Sequence, residues 1–162
     1  MPETLTRDDA IRRLGEMIKG IPVAMLTTVT ERGWLRSRPM VSQQEPFDGT
    51  LWFLSRAGTG KARDVRDRQQ VNLCYVSAAR DRYVSISGVA ALTSAPERVA
   101  AIWNRAYAEW FPKGPADPDL VFIRVQVEEA EYWDPTAHRM VRLGAFVEAG
   151  TAFRDSEPGT GI

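Results

Sequence analysis

Short segments rich in β-branched and aromatic residues, each followed by a turn signal, recur between residues 23 and 143 and most constrain how this chain can fold. Such segments predict β-strands. Tight turns such as Glu31-Arg32-Gly33 join neighbouring segments into hairpins, so we expect an antiparallel sheet. The seven predicted strands cover residues 23–30, 34–43, 50–55, 71–76, 83–92, 120–127 (continued by 132–133 after an interruption near 128–129) and 139–143.

Helices are few in this pattern and are expected at the periphery. Thr6 is a good N-cap for a helix predicted over 7–19, where apolar residues recur at helical spacing. A short helix is predicted over 61–68, and Pro96 favours the first turn of a third helix that reaches about Trp110. Hairpin-linked strands with few helices suit a mainly β (α+β) fold, an antiparallel barrel or sandwich, rather than a parallel sheet.

The composition excludes several classes of function. The chain has 162 residues, with 21 Lys plus Arg against 21 Asp plus Glu, and this zero balance argues against a nucleic-acid surface. One cysteine, Cys74, and one histidine, His138, exclude a disulfide framework and a cysteine-rich or histidine-rich metal site. We interpret Cys74 as a small core residue, and we predict no metal ion.

The ends of the chain give expectations about location and domains. The N-terminus carries no apolar run of the signal-peptide type, and no apolar stretch approaches the ~18 residues of a membrane span. We therefore expect a cytoplasmic protein that does not associate with membranes. Residues 1–148 are predicted to form one domain, and residues 149–162, which contain Gly, Ser, Thr, Asp and Pro, are predicted to form a flexible tail.

The segment from Leu51 to Arg66 has the pattern of a phosphate site. An apolar strand ends in Ser55, a loop carries Gly58-Thr59-Gly60, and a short helix opens with Lys61. Unpaired N–H groups and the dipole at a helix N-terminus favour an anion there. The segment lacks the Walker A and dinucleotide glycine patterns. An ordinary flexible connection with a solvated lysine stays open as the alternative.

A second candidate lies on the predicted second strand, at Arg36-Ser37-Arg38-Pro39-Met40. In a strand, Arg36, Arg38 and Met40 share one face, and Ser37 lies on the other. Two arginines on one face repel each other unless an anion or a carboxylate lies between them. Pro39 favours an edge strand, where two solvated surface arginines are the simpler alternative.

Two further candidates lie later in the chain. Trp133 and Arg139 flank the last predicted turn and could hold a planar ring and an anionic group, although a core tryptophan and a surface arginine are the commoner arrangement. Ser85 lies in an alternating strand over 83–92, where its hydroxyl could line a polar groove or face water.

In their order along the chain, these residues resemble the pyridoxamine 5′-phosphate oxidase-like superfamily, and within it the general stress protein 26 group. The resemblance covers about residues 7–145. It rests on Arg36 to Met40 in the second strand, on Ser55, Thr59 and Lys61 around the loop, and on Trp133 followed six residues later by Arg139. The strand around Ser85 is similar to the one that reaches across the family's dimer.

The resemblance implies a split β-barrel of six or seven strands that forms a homodimer and binds FMN, with FAD as an alternative, at the subunit interface. It implies that Lys61, Arg36 and the loop amides hold the phosphate, and that Arg139 supplies positive charge near the flavin ring. The implied cofactor-binding residues are Arg36, Ser37, Arg38, Pro39, Met40, Ser55, Thr59, Lys61, Ser85, Trp133 and Arg139.

One departure from the family pattern limits the functional prediction. The oxidases place a histidine two residues after the last arginine, and Val141 stands there in this chain. We therefore do not expect oxidation of pyridoxamine phosphate. The predicted function is flavin binding with a flavin-dependent oxidoreductase activity, and the alternatives are a non-catalytic flavin-binding stress sensor, redox sensor or carrier, and an interaction module without flavin. No catalytic residue is assigned.

Overall fold

Seven antiparallel strands in one sheet form the core of the computed structural model, which describes residues 5–146. The proposed domain boundary at 148 and the predicted tail over 149–162 lie outside the described residues. The hydrogen-bonded order is β2-β1-β4-β5-β6-β3, and β7 pairs with β6. The strands are β1 (Val23–Val29), β2 (Leu35–Val41), β3 (Thr50–Arg56), β4 (Gln70–Ser77), β5 (Arg82–Thr93), β6 (Leu120–Asp134) and β7 (Arg139–Leu143).

The prediction of a mainly β fold with seven antiparallel strands is confirmed, but the sheet is not a closed barrel. β2 and β3 stand at the two ends of the hydrogen-bonded order, and within residues 5–146 no strand pairing joins them. The loop between them makes one local link, since Gln43 Oε1 accepts a hydrogen bond of 2.8 Å from the backbone N–H of Trp52. β2 is thus an edge strand, which agrees with the proline at position 39.

Four α-helices and one short 3₁₀ helix lie around this sheet. They are α1 (Arg7–Ile18), α2 (Gly60–Asp67), the 3₁₀ helix Ala78–Arg80, α3 (Pro96–Ile102) and α4 (Arg105–Trp110). Thr6 caps α1, as predicted, by accepting a hydrogen bond from the N–H of Asp9. None of the helices in residues 5–146 is long and apolar enough to cross a membrane.

The prediction of one helix from Pro96 to Trp110 is wrong, because the segment forms two helices. α3 ends at Ile102, and Asn104 starts α4 as its N-cap, with its side-chain oxygen 2.8 Å from the N–H of Ala106. An asparagine side chain competes for backbone N–H groups in this way, which favours a new helix start. Trp110, the last residue of α4, is 47% exposed.

The buried side chains form two clusters. The larger one lies between α1 and the inner face of the sheet, and includes Leu14, Leu26, Phe53, Leu73 and Ile86. The smaller one lies beneath α3 and α4, and includes Leu54, Val99, Tyr107 and Phe122. Cys74 is not a member of either cluster and is only partly buried, so its interpretation as a core residue is wrong.

β6 runs without a break through the predicted interruption, because the sheet absorbs one extra residue there. Ser87 pairs with Glu129 and Gly88 pairs with Val127, so the register shifts by one residue of β6 between Ser87 and Gly88. This two-against-one pairing is a β-bulge. Gly88 lies at the shift, and a Cβ atom at that position would come within 2.4 Å of the carbonyl oxygen of Gln126.

Gly88→Ala should destabilise the fold, because the new methyl group would meet a backbone oxygen that cannot move without breaking the ladder. We expect the free energy of unfolding to fall by about 2 kcal/mol, the order of cost for an overpacked site. Gly144→Ala is the matched control, since a Cβ there meets nothing within 4 Å. Urea denaturation measures both variants, and equal stability of the two would contradict this close approach.

Candidate functional site

A buried carboxylate on α2 joins the two arginines of β2. The side chain of Asp64 is 7% exposed, and its Oδ2 accepts a hydrogen bond of 3.0 Å from Arg36 Nη2. The same oxygen lies 3.8 Å from Arg38 Nη2. The Thr28 hydroxyl of β1 donates to it at 2.9 Å and accepts from Arg38 Nη1 at 3.2 Å. The two arginines share one face, as predicted, and Asp64 is the carboxylate that their proximity requires.

This contact sets the charge state of Asp64. Burial alone would raise the pKa of its carboxyl, but hydrogen bonds from Arg36 and Thr28 and the charge of Arg38 outweigh burial and lower the pKa below the ordinary 3.8. Asp64 is therefore ionised at neutral pH. Through these hydrogen bonds and ion pairs, the Asp64 carboxylate links α2 to β1 and β2.

Lys61 adds a further cation beside this group. It is half-buried, and its pKa is lowered by burial first and then by the charges of Arg38 and Arg56. Within the described part of the chain, neither Lys61 nor Arg56 has an ion pair. We call Arg36, Arg38, Arg56 and Lys61 the cation cluster. Asp64 neutralises only part of its charge, so an anion would lower the repulsion that remains.

The glycine-containing loop holds the start of α2 through its own hydroxyl groups. The Thr59 hydroxyl donates to the carbonyl of Arg56 at 2.8 Å and accepts from the N–H of Ala62 at 3.4 Å, as an N-cap. Ser55 is fully buried, with its Oγ 3.5 Å from the Thr59 oxygen. In this structure both hydroxyls stabilise the loop, and their contact with a ligand stays a prediction.

Gly60 gives one arginine access to the helix start. A Cβ at position 60 would lie 3.2 Å from Arg36 Nη2, so the absence of a side chain lets the guanidinium lie across the first turn of α2. A pocket of about 360 Å³ opens here, between the β1–β2 turn and α2, and its lining includes Trp34, Arg36, Gly60, Arg63 and Asp64. The size is within the range of small-molecule sites.

Several predicted site residues lie on the opposite side of the sheet from the cation cluster. Directly paired residues in an antiparallel sheet point to the same face, and the register gives the rows Pro39–Met25–Cys74–Ser85 and Ser37–Thr27–Asn72–Ser87. We call this the outer face. On it, Ser37 and Thr27 hydroxyls lie 2.6 Å apart, and Asn72 donates to Ser85 at 2.9 Å. Met40 points the other way and is buried in the core at 3% exposure.

Trp133 and Arg139 are not near the cation cluster of the same chain. Trp133 pairs with Met140, and its ring lies edge-on to His138 at 6.3 Å between centroids. Arg139 is exposed and pairs with Asp134. Arg56 of the cluster pairs with Leu120 at the start of β6, and Trp133 lies 13 residues further along that strand, so ~3.3 Å per residue gives a path of roughly 40 Å along β6 between them.

Sequence reasoning missed Asp64, Thr28 and Arg56. The sequence indicated Asp64 only indirectly. Two arginines on one face are stabilised by a nearby negative charge, and Asp64 is an acidic residue in a helix that also carries Lys61 and Arg63. Its pairing with β2 is a contact across 28 residues of sequence, which no local pattern reports.

Replacing Asp64 should destabilise the protein in a pH-dependent way. Asp64→Asn leaves the two arginines without their counter-charge, and we expect the free energy of unfolding at pH 7 to fall by about 2 kcal/mol. Because the native pKa of Asp64 is lowered, its contribution is present above the ordinary value of 3.8 and is lost as pH falls through the native pKa. Urea denaturation from pH 7 to pH 2 measures both effects.

The exposed Asp67 on the same helix is the matched control. Asp67→Asn should change the stability by less than about 0.5 kcal/mol. A wild type and an Asp64→Asn variant whose stabilities fall in parallel from pH 4 to pH 2 would contradict the ion pairing described above.

Solved structures with this fold include two stress proteins. A Clostridium acetobutylicum protein related to general stress protein 26 superimposes with a TM-score of 0.70 at 14% identity, over 83% of this chain and 93% of that one. The general stress FMN/FAD binding protein of Xanthomonas citri gives a TM-score of 0.65 at 24% identity, over 78% of this chain and 89% of that one. At these identities the likeness shows the fold.

A curated relative and a family model extend the comparison to sequence. Protein bli-3 of Neurospora crassa is 26% identical over 135 residues, which is 77% of this chain but 65% of that protein, slightly less than two thirds of its length. Residues 9–153 match the family model described as pyridoxamine 5′-phosphate oxidase like. The resemblance to this family is thereby confirmed, and the chain belongs to the pyridoxamine 5′-phosphate oxidase like family.

Proposed function

We propose that this protein binds a flavin nucleotide, FMN or FAD, with a phosphate held by the cation cluster. The observation that carries the proposal is the half-buried Lys61 beside Arg38 and Arg56, with one carboxylate nearby and no ion pair of its own in residues 5–146. The family, and the Xanthomonas citri protein described as FMN/FAD binding, support the choice of a flavin.

The residues present fit a phosphate group. A phosphate monoester carries close to two negative charges at neutral pH and accepts several hydrogen bonds, which lysine and arginine donate well. α2 is eight residues long and begins at Gly60, so its first N–H groups and dipole add to the same field. Lys61, Arg36 and Arg38 are the side chains that would hold the phosphate, and Ser55 and Thr59 are candidates for its oxygen atoms or for the ribityl chain.

We also propose a homodimer, because the outer face exposes apolar side chains and one chain does not bring all the flavin residues together. Met25 and Val23 are each 38% exposed, and Val76 is 50% exposed. A second copy packed on this face would cover these residues, and it would supply Trp133 and Arg139 to the flavin that the first copy holds. Ser37, Pro39 and Ser85 already lie on this face.

A bound flavin supplies hydride or electron transfer at its N5 atom, and the protein then contributes binding, orientation and electrostatics. We therefore propose a cytoplasmic flavin-dependent oxidoreductase, with a non-catalytic carrier or sensor as the alternative. Val141, which pairs with Tyr132, stands where the oxidases have a substrate-binding histidine, and this argues against pyridoxamine phosphate as substrate. Reduction of the bound flavin by NAD(P)H and reoxidation by an acceptor support the enzyme, whereas flavin that stays oxidised supports the carrier.

Lys61→Ala should weaken FMN binding about 10- to 100-fold, because a hydrogen bond to a charged group contributes about 1.5–3 kcal/mol. Lys61→Ala combined with Arg36→Ala should weaken it further. Titration of the protein into FMN, followed by flavin fluorescence and absorbance, measures the affinity.

Lys113→Ala removes an exposed lysine in the loop after α4 and controls for the loss of one charge. It should bind FMN as the wild type does. FMN affinity that is equal in the wild type and in both Lys61 variants would refute the phosphate assignment.

Met25→Glu should convert a dimer into a monomer, because it puts a charge at the centre of the outer face, between Pro39 and Cys74. Trp110→Glu is the matched control, since Trp110 is also exposed but lies on α4. Light scattering during gel filtration gives the mass. A wild type that is a monomer and binds FMN at one molecule per chain would contradict the proposed dimer.

A further inference from the structure

A cavity of about 380 Å³ lies between α1 and the loop that joins β2 to β3. Its walls include the apolar side chains of Ile11, Ile18 and Phe47 and the polar side chains of Ser42 and Tyr75. Arg38 and Arg36 lie four and six residues before Ser42, so at ~3.3 Å per residue Ser42 lies roughly 13 and 20 Å along the chain from these two members of the cation cluster. The cavity is therefore separate from the proposed phosphate site.

Two hydroxyl groups in the cavity wall are buried without a hydrogen-bond partner in residues 5–146. Ser42 is 4% exposed and Tyr75 is 1% exposed, and neither Ser42 Oγ nor Tyr75 Oη is paired there. Native proteins pair nearly all such groups, since an unpaired buried donor is destabilising. Burial also raises the pKa of Tyr75, so its hydroxyl stays neutral and can donate. An oxygen atom of a ligand would satisfy either group.

The cavity is lined by two positively and two negatively charged side chains. Arg12 and Lys19 stand against Glu16 and Glu45. Arg12 is already bound to Asp9 at 2.9 Å, and Glu45 Oε1 to Arg98 at 3.5 Å, whereas Glu45 Oε2 is buried without a hydrogen-bond partner in residues 5–146 and could accept a bond from a ligand hydroxyl. A charged ligand would thus meet as many like charges as opposite ones, so the lining favours a neutral molecule.

The wall formed by α1 is fixed in place from the sheet side. Arg82 Nη1 donates to the carbonyls of Glu16 and Met17 at 2.6 and 3.2 Å, and Arg80 donates to the carbonyl of Lys19 at 2.9 Å. These are carbonyls of the last turn of α1 and its C-cap, where cations also favour the helix dipole. A wall held in this way needs little reorganisation to receive a ligand, which favours binding.

We propose that this cavity is a second small-molecule site, for a neutral and largely apolar molecule that carries a hydroxyl or carbonyl oxygen bonded to Ser42 and Tyr75. Apolar walls with a few convergent polar groups are typical of ligand pockets, and a volume of about 380 Å³ is near the lower end of their range. The site does not depend on flavin binding.

The test uses the full chain, labelled with ¹⁵N, and 2-naphthol as the probe at pH 7, where the probe is neutral. Saturable shifts are expected for the amides of Gly15, Gly20 and Phe47, and not for that of Gly60. Tyr75→Phe and Ser42→Ala should each weaken the probe about fivefold or more, the order of one lost neutral hydrogen bond. Tyr83→Phe makes the same chemical change on the outer face and should leave the affinity unchanged.

Three results would overturn the proposal. The first is the absence of saturable shifts at the cavity amides up to 2 mM 2-naphthol, which would leave water as the occupant of the cavity. The second is unchanged affinity in both Tyr75→Phe and Ser42→Ala. The third is displacement of the probe by FMN, which would place it at the flavin site. Probe binding that persists with FMN bound and weakens in the two variants supports the cavity as a site of its own.

Discussion

The carboxylate of Asp64 is the interaction on which the rest of the site depends. Without it, Arg36 and Arg38 would repel each other on one face of β2, and α2 would lose its hydrogen bond to Thr28 near the end of β1. With it, two guanidinium groups are held near the start of α2 without being fully neutralised. The charge that remains, together with Lys61, is what makes an anion a favourable occupant of this region.

Because side chains alternate along β2, its residues contact different surroundings. Arg36 and Arg38 point to the Asp64 side, Ser37 and Pro39 to the outer face, and Met40 into the core. A ligand therefore cannot meet all five side chains from one side. Because β2 is an edge strand in residues 5–146, one of its backbone edges has no strand partner there and is available to the polar edge of the proposed flavin ring. The outer face, where a second copy is proposed to pack, lies on the other side of this strand.

Local sequence patterns predicted most of the secondary structure, but they missed contacts between residues that are far apart in the sequence. Hairpin turns and β-branched runs were sufficient to predict the seven strands, and Thr6 was sufficient to predict the start of α1. These signals act over only a few residues. The single helix over 96–110 was wrong, since Asn104 caps a new helix, α4, in the middle of this segment. The polar pair Glu128-Glu129 looked like a break in β6, and only the pairing with Gly88 shows that one of them is the extra residue of a bulge. The pairing of Arg36 with Asp64, and the separation of Trp133 from the cluster, depend on contacts between distant segments of the chain, which the local pattern does not encode.

Recognition of a phosphate by the cation cluster can be tested by comparing the affinities of the protein for FMN and for riboflavin. The two ligands share the ring and the ribityl chain and differ only in the phosphate. Two or more hydrogen bonds to charged groups, at about 1.5–3 kcal/mol each, predict that FMN binds at least about 100-fold more tightly than riboflavin at low salt. Equal affinities for FMN and riboflavin would contradict phosphate recognition by the cation cluster.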